Sequence, residues 1–215
     1  MVRAIAHISN SHSMAPPSKP IEARKTPRQA RSTVTVEIIL EAAARILEEG
    51  GLSALNTNLV AERAGISVGS LYQYFPGKEA LVAALIRRKR TELVTLLEEA
   101  AQWAGKDDLK TLLDRLIRAA LHHQFNRPRL AASLEYAESH LPLDSETQAL
   151  KQQIGNIVAR ALAAHGIDDP ATAARDLAAL TRGMADAAGL YGDTDPSSLE
   201  ARIRRAVHGY LGLRD

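Results

Sequence analysis

Cysteine is absent from all 215 residues, which removes disulfide staples and thiolate metal sites together. A packed core must carry the fold, and such a chain suits a reducing compartment. Long uncharged apolar runs are also missing, so no segment is built to span a bilayer. The opening MVRAIAHISNSHSMA holds one Arg and scattered apolar residues without a continuous hydrophobic stretch, which argues against a secretory leader and makes the cytoplasm the expected location. Met14 is an alternative start. No His-x-x-x-His or Glu-x-x-His pair occurs, adjacent His122 and His123 point to different sides of any helix, and no Gly-rich phosphate loop precedes one. Nothing assembles a nucleophile, a base and an orienting group, so neither an enzyme nor a cofactor is expected. Aromatics make up only 4% of the chain, which disfavours a stacking site for large planar ligands over one for a modest aliphatic or amphipathic compound.

What the chain does contain is unevenly placed. Residues 1–90 hold 13 Lys and Arg against 7 Asp and Glu, whereas residues 91–215 hold 14 against 18. A basic first part fits a surface that replaces counterions on phosphate; the acidic remainder has no electrostatic reason to touch nucleic acid. Residues 1–32 read as a disordered basic arm. Pro16, Pro17, Pro20 and Pro27 break any helix there, and Arg3, Lys19, Arg24, Lys25, Arg28 and Arg31 face Glu22 alone. Two readings of it stand side by side: a strand laid along a duplex, and a solvated tail.

From about Val34 the periodicity predicts a helix, with Ile38, Ile39, Ala42, Ala43, Ile46 and Leu47 on one stripe and Gly50-Gly51 ending it. Thr57 is suited to cap a second helix through Val60 and Ala64, Gly65 to close it in the left-handed region, and Ser67 to cap a third. Leu59, Val60, Ala64, Ile66, Leu71 and Phe75 would bury the inner faces, leaving Ser67, Val68, Gly69, Ser70, Tyr72 and Gln73 on an outer rim. That layout is a helix-turn-helix able to place its second helix in a major groove. After Pro76-Gly77 a long helix runs from Lys78 to about Ala101, and Arg87, Arg88, Lys89 and Arg90 along it read as a solvated face.

Beyond Gly105 everything reads as helix. Asp107 or Asp108 can cap one that ends before Pro128; another covers about 129–140; Asp144 can cap a third that stops at Gly166. Asp169-Pro170 and Asp195-Pro196 each offer a cap followed by Pro at the first helical position, opening helices of about 171–190 and 197–212. Ala178, Ala179, Gly183, Ala187 and Ala188 on the first of these allow close helix approach, within the chain or across a subunit boundary. The fold class is therefore all-α, with a helix-turn-helix domain at 33–80 joined by a long helix to a helical domain at 81–215.

The run AGISVGSLYQYFPGKEAL, with VAERAG before it, resembles the DNA-binding domain of the TetR family of bacterial transcriptional regulators over roughly residues 34–85. The resemblance implies a repressor released from a palindromic double-stranded DNA operator by a small-molecule effector. It also implies a homodimer paired through the helices at about 171–190 and 197–212. Carried over residue by residue, it makes Tyr72 a base or sugar contact and Thr57, Tyr74 and Lys78 phosphate contacts. Ser67, Val68, Gly69 and Ser70 are placed at the duplex by their helix-start position as well, Asn58 can reach a base edge, and Gln73 is a lesser candidate. An apolar effector pocket is implied for the second domain; Trp103, Phe125, Tyr136 and Met184 are candidates to line it, although such residues are more often simple core. Two rival functions remain open: an architectural or non-specific DNA binder without an effector, and a small-molecule carrier or enzyme with a vestigial head.

Overall fold

The computed structural model describes residues 21–22, 30–193 and 195–213, apart from the side chains of Ala30, Arg31, His123 and Gln124. Most of the basic arm, and with it the question of its disorder and DNA contact, lies outside the described residues. Among those described, nine helices follow one another: α1 (Ala30–Ala54), α2 (Thr57–Arg63), α3 (Val68–Tyr74), α4 (Lys78–Ala101), α5 (Leu109–Phe125), α6 (Pro128–Glu138), α7 (Asp144–Ala163), α8 (Pro170–Leu190) and α9 (Pro196–Tyr210).

Helix α1 starts a turn earlier than its apolar stripe, since Pro27 is the last residue that forbids helix. Its ladder breaks at Gly51, whose φ of 65° is open to glycine and costly for any other residue. Ile39, Ala42, Ala43, Ile46 and Leu47 are buried as expected; Ile38, at the edge of the stripe, is 47% exposed instead. The cap residues Asp108, Asp169 and Asp195 each accept a backbone N–H, from Thr111, Thr172 and Ser197 respectively. Asp144 does not cap α7. Leu143 occupies that position, and Asp144 lies in the first turn beside Glu146, where a negative charge still complements the helix dipole.

Two buried cores meet along α4. The first gathers Ile39, Ile46, Leu55, Val60, Leu71 and Phe75 from the helix-turn-helix with Leu81, Leu85 and Ile86 of α4, and it also takes in Leu130, Leu134 and Ala137 of α6. The second joins Val94 and Leu97 of α4 to Leu112, Leu116, Ile157, Leu162, Leu177 and Ile203 from α5, α7, α8 and α9. At about 1.5 Å per residue, the 24 residues of α4 cover roughly 36 Å, so one rigid rod belongs to both cores. Helix α6 is the second tie, because it packs into the head's core although its sequence lies beyond α5.

The cationic run on α4 corrects the sequence reading. Arg87 donates to both oxygens of Glu146 at 2.9 and 2.7 Å, Arg90 to Glu138 at 2.7 Å and to Thr147, and Arg88 to Glu37 at 3.4 Å. Arg90 is only 12% exposed. These side chains are struts between α4 and its neighbours rather than a solvated face; four successive cations cover more than one side of a helix, so some must meet packed elements.

Acid should loosen these struts. The Arg87 hydrogen bond holds the Glu146 carboxyl below its ordinary value of 4.5. For Glu41, burial pushes upward, but hydrogen bonds from Arg45 and Arg127 outweigh it and the net direction is again downward. A carboxylate lowered in the folded state stabilises fully above its unfolded value and loses that contribution as pH falls through the folded one. The thermal midpoint is therefore expected to fall between about pH 5 and pH 3, and the paired substitution E41Q/E146Q to flatten that slope. Both are read from unfolding curves at a series of pH values.

Candidate nucleic-acid interface

The geometry of the head begins with its caps. Asn56, not Thr57, caps α2: its backbone is extended at φ −143° and ψ 155°, and its Oδ1 accepts the Leu59 N–H at 2.8 Å. Both residues are good cap formers, but Thr57 already lies within the helix. Helix α2 closes with Gly65 at φ 66°, where the Gly65 N–H bonds the Glu62 carbonyl at 3.1 Å and the Ile66 N–H bonds the Ala61 carbonyl at 3.0 Å. This paired closure satisfies two terminal carbonyls and turns the chain directly toward α3. Ser67 then caps α3 as expected, its Oγ accepting the Ser70 N–H at 3.0 Å and lying 2.8 Å from the Ser70 Oγ.

Leu71 and Phe75, at 0% and 1% exposure, hold α3 against the head's core. The other side of α3 is open. Asn58, Ser67, Gly69, Gln73 and Lys78 are exposed, while Thr57, Val68, Ser70, Tyr72 and Tyr74 are half-buried. Val68 and Tyr74 pack partly onto the head's core. The Tyr72 hydroxyl lies 3.1 Å from the Thr57 Oγ1, a hydrogen bond between the first turn of α2 and the middle of α3. The fold thus brings all ten candidates onto one short segment, and one cross-link fixes the relative placement of α2 and α3. That bond has no sequence signal, since the two residues lie fifteen positions apart.

Gly69 is informative in another way. Its backbone is not in the left-handed region, and a Cβ added there would meet only the Ser67 Oγ, at 3.8 Å. The fold leaves room for a side chain.

The four effector-pocket candidates divide into two exposed rings and two half-buried side chains. Trp103 is 37% exposed and carries the Lys106 ammonium and the Arg115 guanidinium at 4.8 and 5.0 Å from its ring centroid. Tyr136 is 66% exposed with its ring 4.9 Å from that of His140. Only Phe125 and Met184 pack, half-buried, against the second core. Neither of two clefts among the described residues is lined by any of the four. One, of about 630 Å³, lies between α4 and α7 beside Glu98, Gln152, Gln153, Asn156 and Arg160; the other, of about 360 Å³, lies where α1, α4 and α6 meet. Trp103 and Tyr136 were candidates because bulky aromatics usually seek interiors. In Trp103 the cations, and in Tyr136 the hydroxyl and His140, give each ring a surface environment instead.

The segment from Ile39 to Leu85 matches the family model described as bacterial regulatory proteins, tetR family, and residues 108–211 match that of the tetracyclin repressor-like C-terminal domain. The chain belongs to the TetR family. Among relatives of this TetR-family chain, the HTH-type transcriptional repressor KstR of Mycobacterium tuberculosis is 28% identical over 128 residues, covering 58% of the present chain and 57% of that protein. KstR of Rhodococcus jostii is 25% identical, covering 69% and 66%. The chain thus spans between about half and two thirds of the length of the curated KstR relatives it matches. Solved structures share the fold: a transcriptional regulator from Rhodococcus sp. RHA1 superposes with a TM-score of 0.66 at 24% identity, covering 82% of the present chain and 96% of its own. The SmeT–triclosan complex does so with 0.63 at 22%, covering 82% and 91%.

Proposed function

We propose that this TetR-family chain is a homodimeric transcriptional repressor that reads a palindromic operator with α3 and releases it when a small molecule occupies its helical domain. The observation that carries the reading is the open face of α3, on which Ser67, Gly69 and Gln73 stand exposed while Leu71 and Phe75 anchor the opposite side. Within it, Ser67, Val68, Gly69, Ser70 and Tyr72 with Asn58 face the base edges, Thr57, Tyr74 and Lys78 hold phosphates, and Gln73 stands at the border. A helix-turn-helix of this size covers one half-site, so a two-fold operator requires two copies.

Pairing is supported by what the chain leaves uncovered on its last two long helices. Ala178, Ala179, Gly183 and Ala187 of α8 are exposed, Leu190 and Tyr191 beyond them are 79% and 83% exposed, and Tyr210 of α9, 46% exposed, donates its hydroxyl to Asp176 in the first half of α8 at 2.8 Å. Ala188 alone of the small stripe turns inward. Release by an effector is supported by family membership and by the SmeT relative, whose structure is a complex with triclosan. In this chain the two cores share α4, so a ligand that prefers one arrangement of the helical domain would shift the head with it.

Selection from a random duplex library, followed by footprinting and sedimentation, tests the reading. A protected palindrome bound by two copies supports it; binding as a monomer, or equal affinity for every sequence, overturns it in favour of a non-specific binder. Within the selected site, Ser70→Ala and Tyr72→Ala are expected to lose about 1–3 kcal/mol of discrimination at individual positions. Lys78→Ala is expected to weaken all sequences alike and to lower the salt slope by about one phosphate. Anisotropy titrations at several salt concentrations separate the two classes.

A further inference from the structure

Arg127 stands at the joint between the two cores. It follows α5, a helix of the second core, and precedes α6, a helix of the first; its own backbone, at φ −137° and ψ 73°, belongs to neither helix. From there its guanidinium reaches back to α1. Nε and Nη2 donate to the two oxygens of Glu48 at 2.7 and 2.6 Å, and Nη1 and Nη2 donate to those of Glu41 at 3.0 and 3.4 Å. Glu41 and Glu48 are seven residues apart, two turns along one side of α1, so a single planar fork grips both. Below it the docking of α6 on α1 is apolar, through Leu130, Leu134 and Ala137, with the Ser133 hydroxyl donating to the Leu47 carbonyl at 3.4 Å. Beside the fork the 360 Å³ cleft lined by Glu41, Leu85, Arg88, Lys89, Asn126 and Arg127 opens.

We propose that Arg127 is a positioning residue for operator binding, fixing the angle of the reading head on the helical domain by holding α1 to the start of α6. It touches no DNA; it acts by restricting where the head can be when the paired copy engages its half-site. The head is also tied by α4 and by the apolar docking of α6 on α1, and the Arg127 fork adds a polar attachment at the start of α6, beside the open cleft. Because α5 ends at the joint, movement in the second core is passed to α1 through this side chain. The Arg127 side chain is only 28% exposed and bonds two carboxylates, so its loss also lowers global stability; half-site affinity measured on the folded variants separates the positional role from that cost.

The proposal rests on the dimeric, operator-binding reading, and the test distinguishes the two. Full-length wild-type protein, R127Q, R127K and the partner variant E41Q/E48Q are titrated by anisotropy against the palindrome selected by the wild type and against its isolated half-site. The gain of palindrome over half-site is expected to fall about tenfold in R127Q and in E41Q/E48Q, because a freer head lowers the effective concentration for the second contact. Half-site affinity and its salt slope stay within twofold, R127K recovers part of the gain, and combining R127Q with E41Q/E48Q adds no further loss. An unchanged gain in R127Q overturns the proposal alone, as does a half-site affinity that falls as far as the palindrome's. If R127Q does not fold, E41Q/E48Q decides by the same criteria. A wild-type protein with no palindrome gain overturns the dimeric reading and this proposal together.

Discussion

Replacing Phe75 with alanine is expected to destabilise the reading head by roughly 3–5 kcal/mol and to abolish operator binding at ordinary growth temperature. Phe75 is 1% exposed and ends α3 with an extended backbone, φ −126° and ψ 120°, from which Pro76-Gly77 leads into α4. One ring therefore fills the core and fixes the point where the reading helix passes into the long rod. Helix α3 has only seven residues, far too few to persist without tertiary packing, and Leu71 and Phe75 are the anchors on its inner side. Against a total stability of roughly 5–15 kcal/mol, a loss of this size leaves the head marginal. Denaturant unfolding should show a lowered first transition while the second core, which contains no residue near Phe75, unfolds as before. A loss below about 1 kcal/mol would mean that the cavity is refilled and that α3 is held by something other than this ring.

How much of this was legible in the sequence depends on whether the signal is local. Gly65, Ser67, Asp108, Asp169 and Asp195 declare themselves, because capping is decided within three or four residues of the chain. Asn56 against Thr57 and Leu143 against Asp144 were settled by backbone angles one residue away from the expected cap, which side-chain preference alone does not resolve. The ten candidate DNA contacts lie on consecutive turns of one segment, which is local information of the same kind. Arg87, Arg90 and Arg127 were opaque: their partners Glu146, Glu138, Glu41 and Glu48 lie 48 to 86 positions away, and a charged residue looks the same in sequence whether it meets water or a distant carboxylate. The exposure of Trp103 and Tyr136 was opaque for the complementary reason, since ring size says how much area is available to bury and nothing about which neighbours arrive to bury it.

Gly69 gives the sharpest separation of folding from function. An exposed glycine inside a helix is normally a cost, about 0.8–1.0 kcal/mol relative to alanine. Here the backbone is helical, and a Cβ would make one ordinary contact with Ser67, so nothing in the free protein explains why the position carries no side chain. On the proposed reading the requirement lies outside the molecule, in the close approach of this turn to a duplex. Gly69→Ala is therefore expected to raise the unfolding midpoint slightly while weakening operator binding several-fold. Gly69→Leu, equally free of clashes in the unbound chain at its Cβ, should fold with unchanged helical dichroism yet lose on the order of 100-fold in operator affinity, because its branches occupy the gap between α3 and the groove floor. Differential scanning calorimetry and anisotropy on the same preparations read the two effects apart. Stability gained together with affinity lost is an outcome no purely structural role for Gly69 can produce, whereas Gly69→Leu binding as tightly as the wild type would move the reading surface away from the start of α3 altogether.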